Sequence, residues 1–116
     1  MLVLSGATLV CPDRLISPGT LVIDGDRIAD VRADVLHASD SSSLPLHGHL
    51  IVPAFIDVHM HGLGGVDTLD GTGAVTRIAS LLPRYGVAAF SPTSVACDPI
   101  VLRTFLADVG EARANA

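Results

Sequence analysis

The sequence predicts an α/β protein: a small β-rich part over residues 1–53, then alternating strand and helix over residues 54–116. Three observations carry that expectation. Hydrophobic residues make up 49% of the 116 positions but aromatics only 3%, so a core must be built from Val, Leu, Ile and Ala, the usual material of α/β interiors. The apolar pattern changes near Pro53, from short runs broken by turn residues to strand-length and helix-length runs in alternation. Glycines concentrate over residues 62–73, between the first long apolar run and the first helical pattern, where a strand-to-helix connection is needed.

Short strands are expected at residues 2–4, 8–10, 20–23, 27–31 and 50–52. The segment "TLVIDGDRIADV" reads as a β-hairpin, because Asp24-Gly25-Asp26 places residues that tolerate positive φ between two apolar runs. "HASDSSSLPLHG", with a serine cluster and no apolar period, reads as an exposed loop. Residues 54–60 are apolar enough for a buried strand. In "AVTRIASLLPRYG", Val75, Ile78, Ala79 and Leu82 fall on one helical face, Pro83 should distort the last turn, and Gly86 is the stop. "VAAFSPT" supplies a second strand. Asp98 then makes an N-cap with Pro99 at the first helical position, and Leu102, Phe105, Leu106 and Val109 repeat at helical spacing.

Composition excludes several functions. The net charge of -5, with seven Lys and Arg in all, gives no footprint for nucleic acid. No apolar run approaches the roughly 18 residues of a membrane span, and "MLVLSGATLVCPD" lacks the basic flank and cleavage site of a signal peptide, so a cytoplasmic location is expected. Cys11 and Cys97 form no CxxC pattern and are expected as buried free thiols.

The chemistry concentrates in "VPAFIDVHMHGLGGVDTLDG". Side chains of a strand alternate faces, so Phe55, Asp57, His59 and His61 share one side, while Ala54, Ile56, Val58 and Met60 form a uniformly apolar other. With helices over the apolar side, the histidines would stand at the C-terminal end of the strand, where α/β folds place their chemistry. Two imidazoles at i and i+2 can converge on one ion, each offering a neutral nitrogen, although two ligands do not complete a site. Asp57 is open to two roles: accepting from neighbouring backbone, or orienting a histidine as an outer partner of the metal site. A second His-x-His, His47 to His49, straddles a glycine beside the serine-rich loop and reads, like His37, as ordinary surface. Asp67 and Asp70 read as loop residues.

"VPAFIDVHMHG" resembles the strand that opens the barrel of the metal-dependent amidohydrolases. More narrowly, "HGLGGVDTLDG" with "YGVAAFSPTSV" resembles the N-acetylglucosamine-6-phosphate deacetylase family. The resemblance covers nearly the whole chain and is most specific from Pro53 onward. It departs from the family's pattern at Ala54, where glycine is usual, and at Ala88, where threonine is common.

That resemblance implies a small N-terminal β-sandwich part over residues 1–53 and, from residue 54 to 116, the first two βα units of an incomplete (β/α)8 barrel. It makes His59 and His61 metal ligands for a divalent ion, zinc first, with iron or another divalent metal as alternatives. It also implies hydrolysis of the acetamide of N-acetylglucosamine 6-phosphate to glucosamine 6-phosphate and acetate, in amino-sugar catabolism. The partners implied are a small amino-sugar phosphate as substrate and, for the complete protein, a second copy in a homodimer; neither nucleic acid nor a membrane is expected. No catalytic residue is expected among these residues: the family's glutamate ligand, further histidines and catalytic aspartate would lie beyond residue 116, so the chain alone is expected to be inactive. Two alternatives stay open, a dihydroorotase- or hydantoinase-like amidohydrolase and a non-catalytic assembly or binding module. Against the module stands physics, since two βα units leave open strand edges and uncovered apolar helix faces.

Overall fold

A computed structural model describes residues 1–36 and 42–116. His37 and the start of the serine-rich loop expected there lie outside the described residues. The chain divides into two compact units, Met1–Pro53 and Ala54–Ala116.

The first unit is a five-stranded sheet. Its strands are β1 (Leu2–Val10), β2 (Leu15–Asp24), β3 (Arg27–Arg32), β4 (Ser43–Pro45) and β5 (Leu50–Ile51). The order is β3-β2-β1-β4, with β5 also on β1. β1 to β3 run antiparallel, whereas β4 and β5 pair in parallel with successive stretches of β1, Val3 to Ser5 and Thr8 to Leu9. The expected hairpin is present: Asp24 pairs with Arg27 across Gly25, whose φ is 60°.

Two differences from the sequence expectation have local causes. The strands expected at 2–4 and 8–10 are one strand, because Gly6 (φ 83°) does not break β1 but lies at a shift in its register with β2. Residues 43–45, expected as loop, are β4, anchored where the Val3 amide donates to Ser42 O (2.9 Å) and the Leu46 amide to Ser5 O (2.7 Å). Pro45 is tolerated there because β4 is an edge. The core of this unit is Ala7, Leu9 and Ile16, with Cys11, Leu21, Leu46 and Ile51 packed around it. Ser5 and Thr20 are also buried, and their hydroxyls are used: Ser5 donates to Leu36 O (2.9 Å) and Thr20 to Asp34 O (2.6 Å). The chain after β3 is thereby held to the sheet. Cys11 and Cys97 are free, half-buried rather than enclosed.

The second unit carries β6 (Phe55–Met60), β7 (Gly62–Leu63), β8 (Val66–Asp67), helix α1 (Ala74–Leu81), β9 (Val87–Pro92) and helix α2 (Pro99–Ala114). β6 and β9 are parallel neighbours, with α1 in the crossover that parallel strands need, and β7 and β8 form a small antiparallel pair inside the glycine-rich run. α1 buries Val75 and Ile78, then tightens at Pro83 into a 3-10 turn, Leu82–Tyr85, closed by Gly86 at φ 73°. Ile78, 0% exposed, centres a cluster with Val66, Ala74 and Leu82, against which Met60, Leu63, Val87 and Phe90 pack. The Asp98 carboxylate caps α2 by accepting from the Ile100 amide at 2.7 Å.

α2 turns only part of its apolar repeat inward. Phe105 is buried and Val109 half-buried, but Leu102 and Leu106 are exposed and Asp108 is only 3% exposed. Its carboxylate accepts from the amides of Gly73 (2.5 Å) and Val75 (2.9 Å), capping α1, whose own N-cap is a glycine without a side chain to do so. Negative charge at a helix N-terminus is favourable, which offsets the cost of enclosing Asp108. The apolar side of β6 is not covered as expected either: Ile56 and Val58 are 70% and 75% exposed, because one helix packed on a two-stranded sheet reaches only the Met60 end. An apolar groove of about 440 Å³ opens between α1, β9 and α2, lined in part by Val75, Leu82, Phe90 and Val109. No helix among the described residues is long and apolar enough to cross a membrane.

Candidate functional site

The C-terminal end of β6 brings the predicted residues together. His59 and His61 emerge two positions apart, as strand alternation requires, and their Nε2 atoms lie 3.0 Å from each other. The rings meet edge-on, with centroids 4.9 Å apart and planes at 73°. At that distance the two ring nitrogens are within hydrogen-bond reach, the donor and acceptor roles depending on the tautomers. His59 is exposed and His61 half-buried.

Asp57 turns to the backbone: its Oδ1 accepts from the His59 amide at 3.0 Å, fixing the main chain at the first histidine. Asp67 and Asp70 are engaged inside the following loop. The Asp67 amide donates to Asp70 Oδ2 (2.9 Å), and Asp67 Oδ1 accepts from the Leu69 amide (2.8 Å). The second His-x-His behaves differently. His47 and His49 are exposed, His49 Nδ1 faces the His47 carbonyl oxygen at 3.1 Å, and the His47 ring lies against Gly6.

The loop after His61 is held tightly for a glycine-rich segment. Gly64 and Gly65, at φ 62° and 80°, turn the chain so that Gly62 pairs with Asp67, and a side chain on Gly62 would run into the Val66 carbonyl oxygen. The turn delivers Thr68 beneath the histidines. Thr68 is 1% exposed; its amide donates to His61 O (2.7 Å) and its hydroxyl to Thr93 O (2.8 Å), while the Thr93 amide donates to Met60 O (2.7 Å). Sequence reasoning missed Thr68 and Asp108. A threonine among glycines looks like solvent-facing loop, and an aspartate on a helix looks like its polar face. Among the described residues no group of three or more His, Cys, Asp or Glu converges as a complete metal cage.

Comparison with known proteins gives a consistent relationship, although no family model matches the chain. The N-acetylglucosamine-6-phosphate deacetylase of Rattus norvegicus is 31% identical over 117 aligned residues, covering 92% of this chain and 26% of that protein. The crystal structure of N-acetyl-D-glucosamine-6-phosphate deacetylase from Mycobacterium smegmatis superposes with a TM-score of 0.81 at 27% identity, over 98% of this chain and 33% of that one. A mutant of that enzyme, solved in complex with N-acetyl-D-glucosamine-6-phosphate, gives 0.79. The Pasteurella multocida enzyme gives 0.86 at 18% identity, a likeness of fold. The chain spans about a quarter to a third of the length of these proteins. In sequence and in fold alike, it is a relative of the N-acetylglucosamine-6-phosphate deacetylases that matches a partial segment of them, as an N-terminal portion would.

Proposed function

We propose that this chain is the N-terminal portion of a metal-dependent amidohydrolase that removes the acetyl group of N-acetylglucosamine 6-phosphate, giving glucosamine 6-phosphate and acetate. The observation that carries the proposal is the imidazole pair, Nε2 to Nε2 at 3.0 Å, in a chain related to deacetylases over nearly all its length. Residues 1–53 are then the small domain that accompanies the barrel. β6, α1, β9 and α2 are its first two βα units, with the histidines at the C-terminal end of the first strand.

The pair fits a shared ion. His59 and His61 place their Nε2 atoms 3.0 Å apart, close enough that both would hold one divalent ion once their lone pairs turned toward it. Both rings would have to present an unprotonated Nε2 to the ion, with the ring proton carried on Nδ1. A bound divalent ion supplies Lewis acidity, activating a water and polarising the amide carbonyl. What these residues contribute is placement: His59 and His61 direct two donors to one point, and Asp57 holds the backbone beneath His59. The remaining ligands, the proton-transferring aspartate and the phosphate-binding groups are assigned to the rest of the barrel. The substrate is a small amino-sugar phosphate, the complete protein a cytoplasmic homodimer, and the ion zinc, with iron or another divalent metal as alternatives.

Zinc binding by the full protein, measured by competition with a chromophoric chelator alongside acetate release from N-acetylglucosamine 6-phosphate, tests this reading. The double variant His59→Ala/His61→Ala should lose at least one zinc equivalent and most of the activity. A double variant that kept both the metal stoichiometry and the rate would refute the ligand assignment.

A further inference from the structure

Met60 and His61 are the last residues of the path that places the imidazole pair, and both of their carbonyls are clamped. Met60 O accepts from the Thr93 amide and His61 O from the Thr68 amide, each at 2.7 Å. The Thr68 hydroxyl joins the two clamps by donating to Thr93 O at 2.8 Å. One buried side chain therefore ties the end of β6, the residue after β9 and the loop after His61 into a single frame. Asp57 already fixes the main chain at His59. What remains free to vary is the position of His61 relative to His59, and the Thr68 frame restrains that coordinate.

We propose that Thr68 is a positioning residue: by linking the His61 and Thr93 carbonyls it sets the separation of the two Nε2 atoms, and with it the pair's capacity to hold one divalent ion. The metal consequence rests on the ligand reading of His59 and His61; the geometric part does not. A threonine suits the task because its γ-methyl fills the enclosed space while its hydroxyl satisfies a carbonyl that would otherwise lose a partner. Outer partners of metal sites act in this way, by fixing the orientation of a ligand they never replace.

The test compares Thr68→Val, which keeps the volume and removes the hydroxyl, with Thr68→Ser, which keeps the hydroxyl and removes the methyl. Two readouts are taken on the full chain: zinc affinity by chelator competition, and the imidazole ¹⁵N shifts of His59 and His61 in metal-free protein, which report their shared hydrogen bond. Thr68→Val should weaken zinc binding about tenfold and shift the ring nitrogens toward separate, water-bonded imidazoles. Thr68→Ser should retain the wild-type ¹⁵N pattern and an affinity within about twofold. Wild-type affinity and shifts in a folded Thr68→Val chain overturn the proposal, as does equal loss in both variants, which would mean packing alone. Should Thr68→Val not fold, Thr68→Ser decides: a folded serine variant without the paired ¹⁵N pattern overturns the positioning role, and one with the pattern supports it. If the wild type takes up no zinc, the metal reading fails separately, and the metal-free ¹⁵N comparison alone settles whether Thr68 sets the pair.

Discussion

Asp108 shows at the residue scale how much one side chain can carry without touching the candidate site. Its carboxylate accepts two amides at the start of α1 from within an almost fully enclosed position. Asp108→Ala would leave the Gly73 and Val75 amides without that acceptor, at a cost of about 2 kcal/mol. Asp108→Asn keeps an acceptor and should cost about half as much. Urea titrations of the two variants check the order, and equal stabilities would contradict it. Gly6 is the second such residue. An alanine there would sit at φ 83° with its methyl 2.5 Å from the His47 ring. The exposed ring can swing aside, so the backbone term dominates, and Gly6→Ala should destabilise by about 1 to 2 kcal/mol, read from the same titration.

Elements whose signals are local were legible in the sequence. Asp98 and Pro99 announce the start of α2, Pro83 and Gly86 announce the end of the first helical segment, and Gly25 announces the hairpin. Each is a statement about a few neighbouring residues, and each stands in the structure. Elements that exist only by pairing with distant chain were not legible. β4 is three residues long and is a strand because β1 presents an edge to it, while β7 and β8 are two residues each, closed by a glycine turn. The inward face of α2 was legible only in part for the same reason: Phe105 and Val109 of its apolar repeat turn inward, but so does Asp108, because what lies opposite it is the open end of another helix. The histidine pair itself was legible, since alternation alone places both rings on one side; the Thr68 clamp beneath it was not, because nothing in "GVDTLDG" reports the Thr93 carbonyl. At this scale α1 stands on Ile78, which no solvent reaches. Ile78→Ala should cost about 3 kcal/mol, and a thermal melt showing less than about 1 would mean that the cluster collapses to fill the space.

Over the whole molecule, the described chain leaves several large apolar side chains exposed. Ile56, Val58, Ile100 and Leu106 all exceed half exposure, β6 and β9 have no further strand beside them among the described residues, and the groove between α1, β9 and α2 is open. A purified 116-residue chain is therefore expected to self-associate in a concentration-dependent manner in sedimentation velocity. A dilute, cooperatively melting monomer would contradict this. The same chain is expected to release no acetate from N-acetylglucosamine 6-phosphate, because among the described residues no third His, Cys, Asp or Glu joins the imidazole pair to complete a metal site. Release at a rate comparable with full-length relatives would place the catalytic groups within these residues after all.

The cap that α2 lends to α1 also has a history in time. The acceptor and its two amides are 35 and 33 positions apart, so a chain emerging from the ribosome completes the segment of α1 well before it completes the residue that finishes its first turn. Until then the helix begins on a bare glycine, and its first amides are open to solvent. The exchange of the Gly73 and Val75 amide protons is accordingly a clock for the arrival of α2, fast while the second helix is unmade and slowed once Asp108 has docked.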